Sequence, residues 1–190
     1  MRQLIDKALM LKMDDAQILS IDQLEVDPSL TNYCRDCKAY GLSAHCPPHG
    51  QSSDEFSAGL VAYQNVLVVK RDVAVSALQG DDQLPFARQI HLTVAQLEKQ
   101  AQLLGYNAAA FSAGSCKRLF CSSSQECQLL PENGICRFPQ WARPSVSGVG
   151  INVFSLCETL GWPIDKVTKK SKANDGDMGL LLGLVLLGVK

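Results

Sequence analysis

Residues 65–75 read "NVLVVKRDVAV", and the way this stretch is resolved decides the fold. It is dense in β-branched residues, which suit the pleated, half-buried surface of a sheet better than a helix, so it is expected to be a strand. The turn "QGDDQLP" follows. Residues 86–104 then place Ile90, Val94, Leu97, Ala101 and Leu104 along one stripe at helical spacing, and Gly105 stands where a left-handed residue would end the helix. "YNAAAFSAG" (106–114) reads as the next strand. Strand, long helix, strand is a crossover unit, expected to be right-handed with its two strands parallel.

Toward the N-terminus, Leu4, Ile5, Ala8 and Leu9 give an amphipathic helix over residues 3–12, and "AQILSI" (16–21) a short strand. Ser52 and Glu55 have capping-box spacing and start a helix that runs to about Tyr63. Toward the C-terminus, Asn152 caps a short helix through Leu160, which Gly161 ends. "WPIDKVTKK" and the final "MGLLLGLVLLGV" are expected to be strands joined by the turn "SKANDGD". The expected fold is α/β: one domain over residues 1–190, a mixed β-sheet with flanking helices, and two cysteine-rich loops at 34–50 and 116–137.

Composition narrows the function classes. Apolar residues make up 46% of the 190-residue chain, enough for a conventional core without covalent staples. Eighteen Lys and Arg against nineteen Asp and Glu leave no electrostatic footprint for nucleic acid or an anionic membrane. The basic run "KVTKKSK" (166–172) is read as a solvated loop. The N-terminal residues lack the apolar core of a signal peptide. The last apolar run falls short of the ~20 residues a spanning helix needs. A cytoplasmic location follows as the expectation, and in that reducing compartment cysteines stay unpaired.

Seven of the eight cysteines nevertheless fall in the two loops. The first loop, "CRDCKAYGLSAHCPPHG", is C-x2-C-x8-C over Cys34, Cys37 and Cys46; the second is C-x4-C-x5-C-x8-C over Cys116, Cys121, Cys127 and Cys136. Structural cysteines scatter through cores, whereas clustering in loops without a secretory signal points to metal. Four thiolates suit a tetrahedral zinc or an iron–sulphur cluster. Zinc sites commonly pair C-x2-C knuckles, and only Cys34 and Cys37 form one. The wide spacing of the second loop and the Cys46-Pro47 pair favour one or two iron–sulphur clusters of the 4Fe-4S type, with zinc as the alternative.

The first loop is one ligand short. His49 would complete a Cys3His zinc set; otherwise three thiolates leave one iron of a cluster open, with Tyr40, Ser43 and His49 as nearby polar groups. Cys157, one turn along a helix from Val153 and Phe154, is expected to be a core residue. His45 and His91 are expected to have no chemical role. Arg35, Lys117, Arg118, Arg137 and Arg143 would offset the charge of a thiolate-bound cluster. Arg137 and Arg143, in "CRFPQWARPS", are expected to bind backbone or carboxylate.

"CRDCKAYGLSAHCPP", followed by "GSC" and "CRFPQWARPSVSGVGINVF", resembles a cysteine-rich family of unknown function whose members are known as predicted metal-binding proteins and are common in anaerobic bacteria and archaea. The likeness runs from about Asp15 to Trp162. It implies metal ligands at Cys34, Cys37, Cys46, Cys116, Cys121, Cys127 and Cys136. The chain departs from the family pattern in the second loop, where "CKRLFCSSSQEC" replaces a tighter run near C-x2-C-x2-C.

Three functions follow as expectations. The first is a redox or electron-transfer accessory protein with a redox protein partner. The second is a zinc-pinned structural or protein-interaction module, and the third an enzyme using an open iron at the three-cysteine site. The glycines of "SGVGIN" do not complete a dinucleotide motif, and the C-x3-C-x2-C loop of radical enzymes is missing.

Overall fold

A computed structural model describes residues 1–164, 174 and 176–189. The elements in chain order are α1 (Arg2–Met10), β1 (Asp15–Ser20), α2 (Ser53–Gly59), β2 (Asn65–Ala74), a short α3 (Val75–Leu78), α4 (Leu84–Leu103), β3 (Tyr106–Phe111), α5 (Cys116–Phe120), α6 (Val153–Thr159) and β4 (Met178–Val189). Ser52 and Glu55 form the expected reciprocal capping box on α2, and the Asn152 side chain accepts from Ser155 N at the start of α6. Gly105 and Gly161 take the left-handed conformation that closes α4 and α6 (φ +91° and +68°). Leu104, expected on the buried stripe of α4, lies just past the helix end and is exposed.

The four strands form one sheet in the order β1-β2-β4-β3, and every strand ladder is antiparallel. β2 and β3 do run parallel to each other, as a crossover through α4 requires, but β4 lies between them. Its register runs from Asn65↔Leu187 to Ala74↔Met178 on one side and from Tyr106↔Val189 to Phe111↔Leu184 on the other. The reason lies in the last run of the chain. "MGLLLGLVLLGV" is apolar on both faces, so only a central position hides both rows of side chains. The other strand expected near the C-terminus, 162–170, falls mostly outside the described residues, as does the basic run 166–172.

Both faces of the sheet are covered. On one, Leu4 and Ala8 of α1 and Ile90, Val94, Leu97 and Ala101 of α4 pack on Leu67, Val69, Val185 and Leu187. On the other, Phe56 of α2, Leu156 and Cys157 of α6, and Trp162 cover Val66, Val68, Leu184 and Leu186. Gly183 lets α4 approach closely. A Cβ there would stand 2.6 Å from Ile90 Cγ2 and 2.7 Å from Val94 Cγ1.

β3 ends at Phe111, three residues earlier than expected, because Ser112 leaves the sheet to bridge Ser145. This exit delivers the chain to Cys116 at the start of α5. Glu98 braces the exit from α4: one carboxylate oxygen accepts from Ala110 N (2.8 Å), and the other accepts from Arg143 Nε (2.8 Å).

Candidate metal centre

The first cysteine loop is built from successive tight turns. A run of 3-10 helix over Pro28–Asp36, with the Asp27 side chain accepting from Ser29 N, delivers Cys34 at its end. Cys37 N then donates to Cys34 O (3.0 Å), Tyr40 N to Cys37 O (3.0 Å) and Cys46 N to Ser43 O (3.1 Å). Gly50 N donates to Cys46 O, and a Cβ at Gly50 would stand only 3.0 Å from Cys46 N and from the His45 carbonyl carbon, so the return of the loop on Cys46 needs glycine.

The second loop starts at α5 and is tied together by Lys117. Its side chain is buried, and its ammonium group donates to the carbonyls of Cys121 and Ser124. Lys117 was expected to offset charge near the ligands. Its position shows that it also fixes the backbone between Cys121 and Ser124.

The two loops meet over the segment 143–150. Ser145 N donates to His45 O (3.4 Å), and a Cβ on Gly148 would stand 3.2 Å from the Pro47 ring, so this turn is the bed on which Pro47 rests. Ser43, fully buried, places its hydroxyl 3.6 Å from Cys116 Sγ while accepting from His45 N (3.3 Å). A residue of the first loop thus touches the first cysteine of the second.

All seven loop thiols belong to one electrostatic neighbourhood. Desolvation raises Cys34, and the Cys46 and Cys37 thiols raise it further. Cys46 is raised by burial and then by Cys37 and Cys127, against the easing effect of the Ser115 and Ser43 hydroxyls. Burial pushes Cys116 up to about 12, with Cys46, Cys127 and Cys136 adding to it. Cys121 is raised by desolvation and by Cys136 and Cys127, while Lys117 and Arg137 pull it down. Every one of the seven appears in this chain of mutual repulsion, and Cys46 links the two loops.

Two of the thiols accept backbone donors two residues on: Ala39 N to Cys37 Sγ (3.5 Å) and Phe138 N to Cys136 Sγ (3.4 Å). The cysteines are all unpaired. The donor set therefore fits a soft, thiolate-preferring metal group. Among the described residues, no group of three or more His, Cys, Asp or Glu side chains could hold a metal ion as it stands.

Of the remaining candidates, only Cys157 lies away from the loops and the turn they meet over. Cys157 is fully buried in the core with Phe56, Leu156 and Trp162, and burial pushes its thiol up to about 11 with Lys70, not another cysteine, as the charge that bears on it. His49 is exposed and contributes its backbone N–H to Cys46 O. Arg143 binds the Glu98 carboxylate and the carbonyls of Pro139 and Ala142, which is the structural contact expected of it. Arg137 donates to Ser124 Oγ (2.6 Å), and Arg118 pairs with Asp81 (2.7 Å). Gly150 of "SGVGIN" is a packing glycine: its φ is +81°, and a Cβ would meet Ser53 Oγ at 2.7 Å.

His91 is fully buried on α4 and edge-on to the Phe120 ring. It lies against the backbone of Gly114 and Trp141, yet neither ring nitrogen closes a hydrogen bond of normal geometry. Burial holds it down at about 4, so it is neutral at pH 7 and serves as packing under the second loop. Sequence reasoning named Ser43 but did not foresee the other serines around the thiols, Ser115, Ser145 and Ser147. The available signal was their adjacency to cysteine in "GSC" and their recurrence in "ARPSVSG".

An α/β protein that gathers loop thiols beside its sheet, with none of them spent on a disulfide, belongs by its donor chemistry among metal-binding proteins. The chain is a member of the predicted metal-binding protein family DUF2284, whose family profile matches residues 17–187. No curated protein and no solved structure matches it. Among the described residues, no helix is long and apolar enough to cross a membrane.

Proposed function

We propose that the two loops hold one or two iron–sulphur clusters and that the protein serves a redox or electron-transfer accessory role in a reducing, cytoplasmic setting, with a redox protein as partner. One observation carries this reading: seven thiols from two loops well separated in sequence come into one neighbourhood, while the eighth stays in the core. Cys34, Cys37 and Cys46 are the ligands of the first loop, and Cys116, Cys121, Cys127 and Cys136 those of the second. A cluster spans more than one ion does, which suits thiols gathered without any three being placed for a single ion.

When bound, a cluster supplies one-electron exchange at a potential set by its surroundings. The chain's own groups provide those surroundings. Ala39 N and Phe138 N donate to ligand sulphurs, Ser43 donates beside Cys46 and Cys116, and Lys117 and Arg137 place positive charge near Cys121. Hydrogen bonds and positive charge both favour the reduced, more negative state and raise the potential. Burial of Cys46, Cys116 and Cys127 keeps water from the centre of the site.

The test is preparation without oxygen followed by analysis for iron, acid-labile sulphide and zinc. Iron and sulphide in equal amounts, with visible absorption that bleaches on reduction, are expected. Zinc alone, with neither iron nor sulphide, would overturn the redox reading in favour of a structural module.

A further inference from the structure

An open cavity of about 600 Å³ lies between the C-terminal half of α4, Lys7 of α1 and the stretch 140–143 that follows the second loop. We propose that this cavity binds a small organic dianion carrying a flat ring, of the class of the nucleoside monophosphates. The inference does not depend on what the cysteine loops hold.

Charge selects the anion. Four charged side chains line the space, and two of them cancel. Arg143 pairs with Glu98, whose other oxygen accepts from Ala110 N, so this carboxylate is spent within the protein. Lys7 and Lys99 remain. Two different helices bring them to one cavity, and neither has a carboxylate partner among the described residues. Unmatched ammonium groups that share a space favour an anion there, and this local surplus exists although the whole chain carries a net charge of -1. A phosphate monoester carries roughly -1.5 to -2 at pH 7, close to the charge of the two lysines. A neutral sugar would leave both ammonium groups unanswered, and a cationic ligand would be repelled.

Trp141 selects the ring. It is half-buried and lines the same cavity. An indole face holds a flat base by stacking, whatever the identity of the base. Amides stand around it. Gln96 donates its Nε2 to Leu92 O (3.2 Å) and keeps its side-chain carbonyl free to accept. The amides of Gln100 and Gln140 have no hydrogen-bond partner among the described residues. Each amide can both donate and accept, which matches the mixed edge of a base. The volume lies within the ~300–1,000 Å³ range of small-ligand sites, so phosphate and ring fit together.

AMP and GMP are the probes. Ribose 5-phosphate serves as the anion without a base, and adenosine as the base without charge. Each is titrated into the whole protein by calorimetry and by tryptophan fluorescence. Trp162, the second of the two tryptophans, is buried on the sheet face opposite α4 and gives a constant background. At least one nucleotide should bind saturably at one per protein and quench Trp141, with both controls at least tenfold weaker. Lys7→Gln combined with Lys99→Gln should weaken nucleotide binding tenfold or more and leave the thermal midpoint unchanged. Trp141→Leu removes the stacking face and should cost roughly tenfold. Trp141→Phe keeps a ring, so the binding heat should stay while the quench disappears.

Absence of saturable binding by both nucleotides would overturn the proposal. So would a double lysine variant that binds like wild type, or a quench that survives Trp141→Phe. Ribose 5-phosphate binding as tightly as the nucleotides would reduce the site to a patch of positive charge and overturn the proposal equally.

Discussion

Cys157 and Cys116 are both buried, and burial raises both thiols, to about 11 and about 12. They differ in company. Cys157 lies among Phe56, Leu156 and Trp162 against the sheet, where a thiol acts as a small hydrophobe. Cys116 has the Ser43 hydroxyl at 3.6 Å and is raised further by three other thiols. The same residue type is thus core filling in the body and part of a thiol cluster in the loops. The body is complete as it stands, with both sheet faces covered by apolar side chains. The loops concentrate like groups that would repel once ionised, which burial and the neighbouring thiols counter by holding Cys34, Cys46, Cys116 and Cys121 in the neutral form.

The widest separation of the two regions should come from Cys116→Ser. Metal content, measured on anaerobic protein, should fall by more than half, because a thiolate at the junction of the loops is lost. The far-ultraviolet signature of the sheet and helices should persist. If metal is retained at wild-type stoichiometry, Cys116 is no ligand and the shared neighbourhood is incidental.

Glu98 joins the regions, so its removal should damage both. Glu98→Ala strands the Ala110 N–H and leaves Arg143, 15% exposed in its side chain, without its carboxylate. Breaking a pair of this burial costs about 3–5 kcal/mol, readable as a lower denaturation midpoint. Glu98→Gln keeps the acceptor for Ala110 and should recover part of the loss. Full stability in Glu98→Ala would mean that loop and body are independent.

These expectations also mark what could be read from the residues alone. The helix caps at Ser52 and Asn152, the stops at Gly105 and Gly161 and the apolar stripe of α4 are local signals, decided within a turn of chain, and each was legible. The order of the strands was not. β2 and β3 are parallel as the crossover implies, but that relation does not say whether another strand lies between them, and the inserted β4 comes from the far end of the chain. The candidate site divides in the same way. Cysteine clustering within each loop is a sequence pattern; the meeting of the loops through Ser43, Cys46 and Cys116 depends on where β3 ends and how the 143–150 turn packs on Pro47. His49 illustrates the limit. Its C-x2-H spacing from Cys46 fits a zinc ligand, yet its imidazole is on an exposed stretch.

His91 allows a quantitative comparison, because it belongs to the body but lies under the second loop. Its folded value of about 4 lies below the ordinary 6.5. The unfolded chain therefore binds more protons between those values, and stability present above pH 6.5 is lost as pH falls toward 4. The swing is roughly 3 kcal/mol by linkage. In His91→Leu it should disappear: denaturant midpoints of the two proteins should diverge as pH is lowered from 6.5 to 4, the variant losing less. Arg143 and His45 both bear on His91 and lower it further, so they act in the same direction as burial. Parallel curves would mean that His91 is solvated in solution.

The smallest effect expected is that of Cys157→Ser, and it closes the comparison from the other side. A hydroxyl in place of the thiol would be set among Leu156, Phe56 and Trp162 without a side-chain partner, at a cost of about 1–3 kcal/mol. For a chain of this size that is a drop of roughly 2–10 °C in thermal midpoint. Metal content should be unchanged, since the only charge that bears on Cys157 is Lys70. Cys116→Ser and Cys157→Ser would then show opposite patterns, metal lost with the body intact and body weakened with metal intact. Loss of metal in Cys157→Ser would instead mean that the core thiol reaches the site when metal binds, and the first loop would have its fourth ligand from the protein after all.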